Sequence, residues 1–236
     1  MTVSTRGART RDRIIEAAEQ LFADRGIRGV SLREITQAAG QRNNTALQYH
    51  FGDRDGLLRA IATRHLTVLN QRQDELHTRM LQRPARWSLR DQVDLLVRPT
   101  AEYIGDGPSA RAWLRLAAQL AGAPRQRAED TAAVVSKAAI EVGTALVERV
   151  AADLGPTLGV ERVRMASEGV LHLIADRARL EDAAEPLRPM MPLAVFVELV
   201  IDMTAAAMTA PPSDALLAVS APSIPGVPTE RRSLRN

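Results

Sequence analysis

The stretch SLREITQAAGQRNNTALQYHFGDRDGLL, residues 31–58, decides the fold. Ser31-Leu32-Arg33-Glu34 reads as a capping box, in which the Ser31 hydroxyl and the Glu34 carboxylate satisfy backbone donors reciprocally where a helix begins. Leu32, Ile35, Ala38 and Ala39 give that helix one inward stripe, and Gly40 closes it. Past Gln41-Arg42-Asn43 a second short helix spans about Asn44 to Phe51, too short to persist unless packed on its neighbours. Gly52 then breaks the chain and Asp53 is a good N-cap. Leu57, Leu58, Ile61, Leu66 and Leu69 continue a long amphipathic helix towards Leu81, and Pro84 ends it.

Working outward, Ile14, Ile15, Ala18, Leu21 and Phe22 recur at helical spacing from Thr10 onward, and Gly26 stands where that helix stops. Three short helices with glycine-marked turns have the size and order of a helix-turn-helix bundle, here residues 10–52. The polar start of the chain carries Arg6, Arg9, Arg11 and Arg13 and reads as a basic arm, flexible over residues 1–9. Downstream, helical patterns run over about 88–104, 110–121, 129–154, 160–181 and 192–208, with Pro99 expected to kink or split the first. They make residues 53–209 a larger helical domain. From Ala210 onward, Pro211, Pro212, Pro222, Pro225 and Pro228 predict a non-helical, disordered or loosely packed tail over 210–236. The expected class is all-α.

Composition agrees. The 236 residues are 45% hydrophobic but only 3% aromatic, which favours a helical core over sheets. Cysteine is absent, which excludes disulfides, thiolate zinc sites and cysteine nucleophiles. An apolar run of about 20 residues, the length a membrane span needs, is not found, nor is an apolar signal core behind the N-terminus, so a cytoplasmic protein is expected. The formal net charge of +3 rests almost wholly on arginine, Lys137 being the one lysine, so where the charge lies matters more than its total. Neither a phosphate-cradling glycine loop nor a nucleophile elbow occurs, and Glu168 with His172, one turn apart, lacks further metal ligands. Catalysis, a cofactor and a metal are therefore not expected.

Taken together, Arg33-Glu34-Ile35-Thr36, Ala39-Gly40, Ala46-Leu47-Gln48-Tyr49-His50-Phe51 and Arg54-Asp55-Gly56-Leu57-Leu58 closely resemble the N-terminal signature of the TetR family. The resemblance covers roughly Ile14 to Ile61. It implies a ligand-responsive transcriptional repressor that binds palindromic double-stranded DNA as a homodimer. The physics of the segment is consistent with this. Leu32, Ile35, Ala39, Leu47 and Phe51 pack towards Ile15, Ala18 and Phe22, which turns the polar residues of the turn and third helix outward. By the resemblance, Ser31, Arg33, Tyr49, His50 and Arg54 clamp phosphates, while Arg42, Asn43, Asn44, Thr45 and Gln48 lie nearer the bases. Three departures stand out. The turn Gly40-Gln41-Arg42-Asn43-Asn44 is one residue longer than the common form, Gln48 replaces a frequent tyrosine, and Arg54 stands where many relatives have lysine.

The resemblance also implies a dimer made by the last two long helices. The candidates for that seam are Leu171 and Ile174 on one helix and Phe196, Leu199, Val200 and Met203 on the other. A cavity for an apolar or amphipathic effector is expected among Tyr103, Trp113, Leu116, Leu120, Val142 and Leu146, with Arg111 or Arg115 as an anion anchor. Two other readings stay open at this point: a helical-bundle enzyme using that cavity, and an architectural DNA binder without a ligand.

Overall fold

The computed structural model describes residues 5–84, 86–121, 136–185 and 188–220. Among these residues the fold is all-α, with ten α-helices: α1 (Thr5–Arg25), α2 (Leu32–Ala38), α3 (Thr45–Phe51), α4 (Arg54–Leu81), α5 (Leu89–Glu102), α6 (Pro108–Ala121), α7 (Lys137–Leu154), α8 (Pro156–Asp182), α9 (Leu193–Thr209) and α10 (Asp214–Ser220). Short 3-10 turns, Ile27–Gly29 and Tyr103–Asp106, join α1 to α2 and α5 to α6.

The chain forms two compact units, one of residues 1–72, 100–135 and 171–190, the other of 73–99, 136–170 and 191–236. The core of the first gathers Ile14, Ile15, Ala18 and Phe22 of α1 with Ile35, Leu47, Leu57 and Ile61, all withdrawn from solvent. α2 and α3 have seven residues each and would not hold alone. Burying Ile35 and Leu47 contributes about 1.5–3 kcal/mol each towards the cost of nucleating so short a helix. α6 also packs on α1, so the helix-turn-helix segment shares its core with later helices. In the second unit, Met80, Leu95 and Val142 form a cluster edged by Leu76, Trp87 and Leu96. There, Arg90 and Arg98 of α5 reach Glu198 of α9, each at 2.6 Å, and Arg90 also reaches Asp202 at 2.6 Å.

Four expectations are revised. The first helix begins at Thr5, so Arg9, Arg11 and Arg13 are exposed helical positions rather than part of a loose arm. Arginine is a good helix former and solvated turns need no apolar stripe to continue a helix. Pro99 does not split α5, which runs on to Glu102, because a proline in the last turn sacrifices one bond without ending the helix. The proline-rich tail contains α10, whose Leu217 and Ser220 are buried. It fits between Pro212 and Pro222, starting where the Ser213 hydroxyl accepts the Leu216 N–H. Finally, the compact units divide within α4, α5 and α8, after residue 135 and after residue 190, and not between residues 52 and 53. α7 starts at Lys137 on the Ser136 cap, and the expected helical stretch 129–135 lies outside the described residues.

Candidate nucleic-acid interface

The capping box at the start of α2 is formed. The Glu34 N–H donates to Ser31 Oγ at 3.2 Å, and the Ser31 N–H donates to Glu34 Oε2 at 2.8 Å. The Ser31 hydroxyl donates to the same carboxylate at 2.8 Å and Arg25 joins it at 2.7 Å. The Ser31 backbone N–H, the Ser31 hydroxyl and Arg25, in that order, hold the Glu34 carboxyl down at about 2. α2 ends in a Schellman turn: Gly40 N–H bonds the Gln37 carbonyl and Gln41 N–H the Thr36 carbonyl. Gly40 takes φ +71°, where a side chain would be strained.

The turn into α3 is braced from inside. Thr36, 1% exposed, has its hydroxyl 2.8 Å from Asn44 Oδ1 and 2.7 Å from the Leu32 carbonyl. The Thr45 N–H donates to Asn43 Oδ1 at 3.2 Å. Beyond α3, Asp53 caps α4 by accepting the Gly56 N–H at 2.7 Å. A Cβ at Gly56 would lie 1.9 Å from the Phe51 carbonyl oxygen, so α4 can start this close to α3 only with glycine there.

On this frame Arg33, Arg42, Asn43, Thr45, Gln48 and Tyr49 are exposed, Tyr49 to 84%. His50 is half-buried, its ring edge-on to Tyr49 at 5.1 Å. Four expected contacts are already engaged within the chain. The Ser31 hydroxyl serves the capping box, the Asn43 side-chain oxygen accepts the Thr45 N–H, the Asn44 side-chain oxygen is held by Thr36, and Arg54 donates to the Ile27 carbonyl with its guanidinium over the Phe22 ring. Arg11, read as part of the arm, lies over the Phe51 ring, 5.5 Å from its centroid, at the end of α3.

Residues 14–61 match the model of bacterial regulatory proteins of the tetR family. The likeness to the tetR family is carried by this N-terminal segment. A curated relative, the HTH-type transcriptional repressor AcnR of Corynebacterium efficiens, is 29% identical over 44% of this chain, and the match spans 60% of AcnR's own length. Similar solved structures include a tetR-family regulatory protein from Rhodococcus RHA1, with 19% identity, 86% of this chain and 98% of that one covered, and a TM-score of 0.52. Another is the fatty acid degradation regulator FadR from Bacillus halodurans, with 13% identity, 87% and 97% coverage and a TM-score of 0.52. At these identities the likeness is one of fold.

The residues expected to line an effector cavity divide between the two units. Tyr103, Arg111, Trp113, Arg115, Leu116 and Leu120 belong to the first, Val142 and Leu146 to the second, where Val142 packs with Met80 and Leu95. Tyr103, Trp113 and Leu116 are buried. Both candidate anion anchors are already ion-paired: Arg111 with Asp182, and Arg115 with Asp24 at 3.1 Å and Asp182 at 3.3 Å. A polar cleft of about 380 Å³ involves Arg11 and Glu16 of α1 with Thr63 and Arg64 of α4, and none of the expected lining residues belongs to it. Of the expected seam residues, Leu199 and Met203 are exposed, Leu171 and Phe196 half-buried. Ile174 and Val200 are buried within the chain's own core.

Sequence reasoning missed a buried polar cluster in the first unit. Glu19 of α1 is fully buried and meets His65 Nε2 at 2.9 Å, and His65 Nδ1 is 2.8 Å from the Tyr103 hydroxyl. The Ser109 hydroxyl donates to the other Glu19 oxygen at 2.7 Å, and Trp113 stacks on His65. Burial and the nearby Asp106 push the Tyr103 phenol above its ordinary value, keeping it a neutral donor. A signal did exist: Glu19 sits in line with Ile15 and Phe22, and His65 with Ile61 and Leu69, polar residues on apolar stripes.

Proposed function

We propose that this protein is a transcriptional repressor that binds a DNA palindrome as a homodimer and releases it when a small apolar or amphipathic effector binds. The observation that carries the reading is the exposed row Arg42, Asn43, Thr45, Gln48 and Tyr49, presented by a turn and helix whose backbone is braced on the inner side. Amide and guanidinium groups in that row suit base edges, a good bidentate pair being worth about 1–3 kcal/mol of discrimination, while Ser31, Arg33, Tyr49, His50 and Arg54 would meet phosphates. Arg54 would add phosphate contact through guanidinium N–H groups that the Ile27 carbonyl does not use.

Dimerisation is supported by α9, where Val195, Leu199 and Met203, 53%, 43% and 54% exposed, recur every four residues. Such a stripe suits a second copy of the same helix, and two copies would set two recognition helices roughly 34 Å apart. Effector release requires only that the ligand bind one head arrangement better than the other. The test is selection of bound duplexes from a random library by the full-length protein, followed by affinity measurements across a salt series. A two-fold symmetric consensus bound by a dimer, with affinity falling steeply as salt rises, is expected. Recovery of no consensus, with binding equal on all duplexes, would overturn specific repression.

A further inference from the structure

We propose that the buried chain Glu19–His65–Tyr103 is the joint that fixes how the DNA-reading helices are held by the rest of the protein, with Glu19 its positioning residue. The inference rests on the DNA-binding reading above and adds to it the residues through which its regulation passes. Three elements meet at the joint: α1 through Glu19, α4 through His65, and the turn and helix after α5 through Tyr103, Ser109 and Trp113. One proton arrangement satisfies every atom. The phenol donates to Nδ1, Nε2–H donates to Glu19, and the Ser109 hydroxyl donates to the second carboxylate oxygen. The Trp113 ring lies parallel to the imidazole within 2°, at 5.2 Å, and locks its plane.

Stability alone is a poor reason for this cluster, since a buried carboxylate network is commonly matched or bettered by apolar residues of similar volume. What it adds is direction. Apolar packing tolerates a small slide of one helix along another, but Glu19, fully buried, satisfies its bonds in one register of α1 on α4 and α6. Losing them piecemeal would leave a buried carboxylate with only the more distant Arg64 guanidinium, 3.9 Å away, to offset its desolvation. A displacement of α4 or α6 therefore either carries α1 with it or breaks the joint at once, the discrete response a switch needs. The rest of α6 holds α1 in the same manner: Gln119 donates to the Phe22 carbonyl at 3.2 Å and Arg115 pairs with Asp24. In the same unit, Asp182 at the end of α8 pairs with Arg115 and Arg111, which ties a third helix into this polar grip.

The experiment uses the full-length protein, the palindrome recovered by selection, and a duplex carrying one half-site. Glu19→Gln, Tyr103→Phe and the double variant are compared with wild type, circular dichroism verifying the fold. A loosened joint leaves each head able to read its own half-site but broadens the orientation of the two heads together. Each single variant should lose roughly tenfold in affinity for the palindrome and nothing on the half-site. The double variant should lose no more than the worse single, because both substitutions break one chain at opposite nitrogens of His65. Equal weakening on both duplexes would show a head that is merely unstable and would overturn the joint. Unchanged palindrome affinity, or losses that multiply in the double variant, would overturn it too. Should Glu19→Gln fail to fold, Tyr103→Phe, which removes a single oxygen, still decides. A wild-type protein that selects no duplex would remove the DNA-binding reading itself, and the joint with it; one that binds while the variants behave as wild type removes only the joint.

Discussion

Replacing Thr36 with valine keeps the shape of a side chain that is 1% exposed and deletes only its hydroxyl. That hydroxyl lies 2.8 Å from Asn44 Oδ1, the side-chain bond between α2 and the residue that begins α3. An internal hydrogen bond of this kind is worth about 0.5–1.5 kcal/mol net. Asn44 is half-buried, so water can serve its freed oxygen and the loss stays within that range. Opening of α3 then becomes about 2- to 12-fold easier, which hydrogen exchange of the α3 amides reads directly. Asn44→Ala removes the same bond from the other side, so the double variant should exchange no faster than the quicker single. Both variants should also weaken every duplex alike, since Asn44 acts by holding the turn. Unchanged exchange in Thr36→Val would refute the brace. So would a change of base preference in Asn44→Ala that Thr36→Val does not share.

Arg54→Ala should lower affinity for all duplexes and reduce the slope of log affinity against log salt by about 0.9, as expected when the protein neutralises one phosphate fewer; an unaltered slope leaves Arg54 only its tie to Ile27. Leu199→Glu, placing a charge in the exposed stripe of α9, should give helical monomers that bind the palindrome poorly, and an undisturbed dimer in sedimentation would move the seam elsewhere. The Glu34 carboxyl is held down at about 2, so the stability that its charge provides is present above the ordinary carboxylate range and is lost as pH falls from there towards 2. Compared by acid unfolding, wild type should exceed Glu34→Gln at neutral pH and converge with it near pH 2, whereas a constant gap would contradict the linkage. Gly56→Ala should abolish the native head, because its methyl would sit 1.9 Å from the Phe51 carbonyl oxygen; cooperative melting at the wild-type temperature would show that α4 can shift aside.

The parts legible in the sequence were those whose partners lie within a few residues. The Ser31–Glu34 box, the glycine stop at Gly40 and the Asp53 cap each depend on groups no more than a turn away, and all are formed. The core of Ile15, Ala18, Phe22, Ile35 and Leu47 followed from helical spacing alone. What stayed hidden depends on distant chain. Glu19 reaches Ser109, 90 residues on, and Arg90 reaches Asp202, 112 residues on. The same reason explains why Arg111 and Arg115 passed for free anchors, their carboxylate partners at Asp182 and Asp24 being far away in sequence. Periodicity found the α9 stripe but could not separate Leu199, which is exposed, from its neighbour Val200, which is not. The helix α10 escaped because prolines on both flanks masked seven residues able to coil.

The packing of α6 against α1 also bears on how such a protein can be recombined. Cutting after Gly52 would leave the Glu19 carboxylate without its partners His65 and Ser109, and the Phe22 carbonyl without the Gln119 amide. The segment proposed to read DNA is therefore not a cassette to be transplanted onto another protein. A chimera that keeps its specificity must bring the first part of α4 and the whole of α6 along, or exchange only the outward-facing side chains of α3 and leave the frame in place. On the proposed function, new operator preferences are accordingly more accessible by point substitution than by shuffling of domains.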